Sequence, residues 1–182
     1  MKTIIPTIAF LLATTLFGIE IKDDKADWVR GQSDDAFDIK SLKIERIDAD
    51  RISLRLELHD EVPDFRERKT HYRFDFDLDL DDETGHDSNK FGGDSLIYVS
   101  LQPIESEKKE WTTYVRSHSE VGNLSDLRVE KLIVRRETIS LEVVSDFFSN
   151  HDQFGLYVMT FGDNFFYDEL PNKSEALIDL SK

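Results

Sequence analysis

From about residue 37 onward, polar and apolar positions alternate one for one along much of this chain. Ile52, Leu54, Leu56 and Leu58 are interleaved with Ser53, Arg55, Glu57 and His59. Tyr72, Phe74, Phe76, Leu78 and Leu80 are interleaved with Arg73, Asp75, Asp77, Asp79 and Asp81, and Ile139, Leu141 and Val143 stand against Ser140 and Glu142. A period of two sends successive side chains to opposite faces of an extended strand, so each segment predicts a strand with one buried face. Segments 42–47, 95–104, 111–116, 127–135 and 154–161 are apolar at less regular intervals and predict further strands, several of them apolar on both faces and therefore central or covered. A short strand over 176–180 completes the set. Asp48-Ala49-Asp50 and Arg136-Glu137 separate neighbouring segments at hairpin spacing, 105–110 is a charged turn, and Gly92-Gly93 leads into a strand. No dozen residues carry apolar positions at helical spacing, and only 145–152 has room for one helical turn. Eight or nine short strands predict an all-β fold, a two-sheet antiparallel β-sandwich of jelly-roll or immunoglobulin-like form.

The N-terminus follows another design. Met1-Lys2-Thr3 is short and basic, residues 4–17 are uncharged and apolar, and Gly18 precedes the charged stretch Glu20-Ile21-Lys22-Asp23-Asp24-Lys25. This is the layout of a secretory signal peptide, with an apolar run too short to span a bilayer. The expected organisation is a signal peptide over 1–18, a polar segment over 19–34 and one sandwich domain over 35–182. The expected location is the periplasm or the medium, with no membrane span after cleavage. The chain of 182 residues has no cysteine, so an exported domain of this kind must be held by its apolar core, with or without a metal. Cleavage removes one base, Lys2, and no acid, moving the formal charge from −15 to −16. Such a surface repels nucleic acid and anionic lipid and suits cations, basic proteins or neutral ligands.

Acids concentrate in Asp75-Phe-Asp-Leu-Asp-Leu-Asp-Asp-Glu-Thr-Gly85. In an unbroken strand Asp75, Asp77, Asp79 and Asp81 share one face, with neighbours about 6.5–7 Å apart. Carboxylates so placed repel one another unless a cation sits among them, and clustered hard oxygens at a strand end suit Ca²⁺. Asp77-x-Asp79-x-Asp81 matches the start of an EF-hand loop. Asp82 then stands where that loop needs glycine and Ser88 where it needs glutamate, so it is not one. Further ligands would come from Asp82, Asp87, Asn89 or Asp94. The competing reading is a solvated strand face on which Arg55, Arg73 and lysines of neighbouring strands pair with the acids.

Three blocks in order carry a resemblance. Asp35-Ala-Phe-Asp-Ile-Lys-Ser-Leu-Lys-Ile44 is followed by a strand ending in Val62-Pro63. Tyr72 to Asp81 is followed by Thr84-Gly85 and Gly93-Asp94-Ser95-Leu96-Ile97, and Tyr167-Asp168-Glu169-Leu170-Pro171-Asn172 comes near the end. Over roughly 35–182 this resembles the DOMON-like and family-nine carbohydrate-binding-module-like β-sandwich superfamily, with Asn172 replacing the usual final acid. The resemblance implies an exported sandwich that binds sugar or haem in some relatives. It also implies structural calcium in some, at positions matching Asp77, Asp79, Asp81 and Asp94. Fold transfers along such a likeness better than function does. Haem is not expected, because its methionine and histidine ligands would have to include Met159, which sits in an apolar strand where it fills space.

Aromatic residues outside the clean alternation are the search set for a sugar site, since a pyranose stacks its C–H face on an aromatic plane. They are Trp28, Trp111, Tyr114, Phe165, Phe166 and Tyr167, the last three beside Asp163 and Asn164. The competing reading places them in the core or at the ends of the sandwich. Catalytic signatures are missing from the sequence. It has no cysteine nucleophile, no Gly-x-Ser-x-Gly elbow, no His-Glu-x-x-His and no phosphate-binding glycine loop. The expected protein is therefore a non-catalytic, calcium-stabilised binding module for a carbohydrate or cell-envelope polymer. The alternative is a structural or protein-interaction domain of the envelope with a basic partner.

Overall fold

Each alternating segment forms a strand over most of its length, and their apolar positions, Leu80 excepted, meet in one core. The computed structural model describes residues 18–23, 37–62, 70–81, 83, 93–105, 108–117, 126–162, 165–171 and 176–181. Outside these lie 1–17 of the expected signal peptide, Trp28, Pro63, Asp82, the Thr84-Gly85 turn, Asp87, Asn89, Gly92 and Asn172. In chain order the elements are β1 (Gly18–Lys22), β2 (Ile39–Asp48), β3 (Arg51–Leu58), β4 (Thr70–Asp77), β5 (Ser95–Glu105), β6 (Lys108–Ser117), β7 (Arg128–Arg135), β8 (Thr138–Val144), α1 (Asp146–Asn150), β9 (Gln153–Gly162), β10 (Phe165–Leu170) and β11 (Ala176–Asp179). All pairings between strands are antiparallel. They form a five-stranded sheet in the order β1-β2-β3-β8-β7 and a six-stranded sheet in the order β10-β9-β4-β5-β6, with β11 also paired to β9. The fold is a two-sheet antiparallel β-sandwich.

The core lies between the sheets. Ile44, Leu54, Leu56, Ile139 and Leu141 from the first meet Tyr72, Phe74, Phe76, Val99, Leu156 and Val158 from the second. The chain changes sheets three times, from β3 to β4, from β6 to β7 and from β8 to β9. Because β3 lies beside β8 and β4 beside β9, the first and third crossings leave and enter neighbouring strands. Two-residue turns join β2 to β3 and β7 to β8, as the spacing predicts. Arg136, in the second, has φ 48°, the left-handed conformation that tight hairpins demand.

Helix α1 occupies the β8–β9 crossing and is fixed at both ends. At its start Ser145 Oγ accepts from Phe147 N at 3.1 Å, and Asp126 Oδ2 accepts from Asp146 N at 2.8 Å. At its end the Arg46 guanidinium donates to the carbonyls of Phe148 (2.7 Å) and His151 (3.2 Å) and to Asp152 (2.9 Å). Those bonds satisfy carbonyls that the end of a helix leaves without partners. Phe147 and Phe148 are thereby driven into the core, where Phe148 meets Phe154 at 5.5 Å between ring centroids. Among the described residues, no helix is long and apolar enough to cross a membrane.

Two sequence expectations change here. The described residues form eleven strands and not eight or nine, because β1 lies in the expected polar segment and β10 in a run without clean alternation. The acidic strand also ends at Asp77 and does not reach Asp81. The reason is local competition for backbone donors. Asp94 Oδ2 accepts from Leu78 N (2.8 Å) and Asp79 N (3.3 Å), while Asp77 Oδ1 accepts from Leu80 N (2.7 Å). Side chains that bond nearby backbone N–H groups turn the chain out of the ladder. Leu80, with φ 57°, marks where it leaves.

Candidate functional site

The acidic run, expected to present one face of carboxylates, divides into three environments. Asp75 is buried on the outer side of β4 and takes a bidentate ion pair from Arg73, two residues back on the same strand, at 2.6 Å for both bonds. Such fork-to-carboxylate pairing is the strong form of the interaction. Arg55 belongs to β3 in the other sheet and takes no part, so of the two arginines expected to neutralise this face only Arg73 does so. Asp81 is exposed and accepts from Glu83 N at 3.0 Å.

Between these two environments, Asp77, Asp79 and Asp94 converge. One carboxylate oxygen of each lies within 4.8 Å of the others, and Asp77 and Asp94 are each only 2 % exposed. The strands position them: Asp77 closes β4, Asp94 immediately precedes β5, and Asp94 N donates to Phe76 O at 2.7 Å. The backbone bonds described above engage Oδ1 of Asp77 and Oδ2 of Asp94, so a cation would take the opposite oxygens. An all-carboxylate donor set suits a hard cation and not zinc or copper. Oxygens on a common Ca²⁺ sit about 2.3–2.6 Å from it, hence up to about 5 Å apart. The group fits calcium on both counts. Three of the four expected ligands meet in it, and Asp81 stands outside. A cavity of about 590 Å³ opens beside it, lined by Asp79, Leu80, His151, Asp152 and Asp179 among others.

The outward faces of the two sheets differ in kind. None of the five strands of the first sheet contains a Phe, Tyr or Trp. Its outer side is a lattice of charges, with ion pairs Lys40–Glu57, Lys43–Glu20, Arg51–Glu130 and Lys131–Glu142. The second sheet holds the strand aromatics, and its period-two register sends some of them outward. Tyr98 and Tyr114 are cross-strand partners with ring centroids 6.4 Å apart, and the Arg73 guanidinium lies 5.8 Å from the centre of the Tyr98 ring. Tyr114 is 62 % exposed. Two adjoining hollows follow this face. One of about 370 Å³ is lined by His71, Tyr98, Ser100, Tyr114 and Arg116. The other, of about 290 Å³, is lined by His71, Arg73, Tyr98 and Phe161. Farther along, buried Tyr157 donates to Glu169. Burial, followed by this bond and the Glu169 charge, raises the Tyr157 hydroxyl far above the usual tyrosine range, so it stays a donor at any physiological pH.

Of the expected ligand aromatics, only Tyr114 stands on this face with its side chain described. Trp111, three residues earlier on β6, points the other way and packs 6.0 Å from the Tyr72 ring, against the core. Phe165, Phe166 and Tyr167 form the start of β10 opposite Gly162 and Phe161, with their side chains outside the described set. Sequence reasoning missed Tyr98, His71, Phe161 and Arg116. Their outward parity was available in the alternation, but which strands lie side by side was not.

Comparison of the chain with protein-family models, curated proteins and solved structures finds no match.

The metal reading has a direct check. A thermal melt of the protein in millimolar Ca²⁺ should lie about 5–10 °C above one in EDTA, the shift expected for a site a hundredfold saturated in a domain of this size. Asp79→Ala should abolish the shift, Asp81→Ala should keep it, and Mg²⁺ should not reproduce it. Coincident melts with and without Ca²⁺ would leave the cluster as a backbone-capping device alone.

Proposed function

We propose that this chain is an exported, non-catalytic binding module that holds a carbohydrate or cell-envelope polymer across the outer face of its six-stranded sheet. In this reading a calcium ion at Asp77, Asp79 and Asp94 braces the β4–β5 end. The observation that carries the proposal is the contrast between the outer faces: one is a charged lattice with no aromatic residue in any of its strands, and the other exposes the Tyr98–Tyr114 pair beside two hollows. Apolar rings with a few polar groups placed among them are what a small-ligand site requires. Here Ser100, His71 and Arg116 supply the polar groups within reach of sugar hydroxyls. The motif order shared with exported sugar-binding sandwiches supports the same reading.

Retention on immobilised polysaccharides tests it. The protein should be retarded by at least one, and Tyr114→Ala should weaken that binding roughly tenfold, equivalent to about 1.4 kcal/mol. Arg55→Ala, on the opposite sheet, should leave it unchanged. Retention that survives Tyr114→Ala intact would remove the site from this face.

A further inference from the structure

The charge around the two hollows is opposite to that of the molecule. Acids outnumber bases 38 to 23 in the chain, yet among the described residues no carboxylate lines either hollow, and together the hollows present His71, Arg73 and Arg116. Arg73 is matched by Asp75, as described above. Arg116 is exposed and makes no ion pair among the described residues. It stands two residues along β6 from Tyr114, so both side chains project to the same side of the sheet. A guanidinium with no carboxylate partner among the described residues of so acidic a protein, next to half-buried Tyr98 and exposed Tyr114, is charge complementarity toward an anion that also has a face to stack.

We infer that the ligand is an acidic saccharide, a chain carrying uronate carboxylates, with sugar rings lying on Tyr98 and Tyr114 and a carboxylate received by Arg116. This rests on the binding face proposed above and narrows its ligand class. Arginine suits the role because its planar fork meets a carboxylate with two parallel hydrogen bonds. The chain's overall negative charge does not forbid it. At physiological ionic strength screening acts over about 8 Å, so a group seated in the hollow is governed by the side chains touching it. Of the clustered acids, Asp77 ends β4, Asp79 follows it and Asp94 precedes β5, and Arg116 pairs with Leu96 at that same end of the sheet. The hollows extend from there toward His71 and Ser100, cross-strand partners at the other end of the β4–β5 pairing.

The test uses the full chain at physiological ionic strength with three probes: a galacturonic acid hexamer, its fully methyl-esterified form, and maltohexaose. Isothermal calorimetry should show the acid bound at least tenfold more tightly than the ester. Arg116→Gln should bring the two to equal affinity, and Tyr114→Ala should weaken both. Melting curves confirm that these surface variants are folded. Equal affinity for acid and ester in the unmodified protein, or a preference that persists in Arg116→Gln, would overturn the inference and leave the binding face standing. No binding of any of the three, together with no retention on the polysaccharide panel, would overturn the face and the inference with it.

Discussion

Phe76→Ala should remove about 3–5 kcal/mol of stability, the cost of emptying a phenylalanine-sized space in a packed core. Phe76 is fully buried in β4, between β5 and β9, and its ring stacks on Phe154 at 5.8 Å between centroids. Phe154 in turn meets Phe148 of α1, so the three rings link the six-stranded sheet to the helix in the β8–β9 crossing. These two neighbours belong to separate elements, each held by its own backbone bonds, so they cannot both collapse into the space. Urea unfolding should show a much lower midpoint at nearly constant slope, since the surface exposed on unfolding hardly changes. A loss under 1 kcal/mol would mean that the core is far more pliable than its packing indicates.

The second large effect is polar. Asp168 is fully buried, and its two oxygens accept from the backbone N–H of Ile39 at 2.6 Å and of Glu169 at 2.9 Å. The first bond joins β10 to β2, and therefore the six-stranded sheet to the five-stranded one. Beside it Thr160 Oγ1 donates to Phe37 O at 2.8 Å, a second tie between the same parts of the chain. Asp168→Ala strands a buried N–H, which costs more than the net value of the lost bond, and a destabilisation of about 2–4 kcal/mol is expected. Asp168→Asn keeps one carbonyl acceptor and should lose about half as much. Native-state hydrogen exchange gives the sharper reading, because the Ile39 amide should lose protection in Asp168→Ala before the centre of β3 does. If both variants melted with the unmodified protein, the carboxylate would be incidental to the junction.

The strands were legible wherever alternation was clean. Ile52–Leu58 and Ile139–Val143 needed only the period of two, and the Arg136-Glu137 hairpin needed only its length. Segment 72–81 has equally clean alternation but misled beyond Asp77. An aspartate can serve as an outward strand residue or as an acceptor for the backbone behind it, and Asp94, sixteen residues from Leu78, decides which. The candidate metal group was therefore visible in composition, and its membership was not. Asp168 is similar: its motif was noticed, but its bond to Ile39 spans 129 residues. The Tyr98–Tyr114 face was hidden for a different reason. Each strand discloses which of its residues point the same way, yet only the pairing order brings two such sets together.

The placement of β10 and β11 has a consequence for how these molecules coexist at high concentration. Both pair with β9 along the same edge, β10 over its residues 158–162 and β11 over 153–156. That border of the six-stranded sheet is thus broken into one strand of six residues and one of four. At the β1 border of the other sheet the outermost strand has five residues and carries Glu20 and Lys22. A long, flat, uncharged border is the template on which a second sheet can extend the first, and short or charged borders remove it. These two borders therefore resist edge-to-edge polymerisation through the lengths of their outermost strands, while the longer border strands β6 and β7, of ten and eight residues, rely on charge, with Lys108, Lys109, Glu110 and Arg116 on one and Arg128, Glu130, Lys131 and Arg135 on the other.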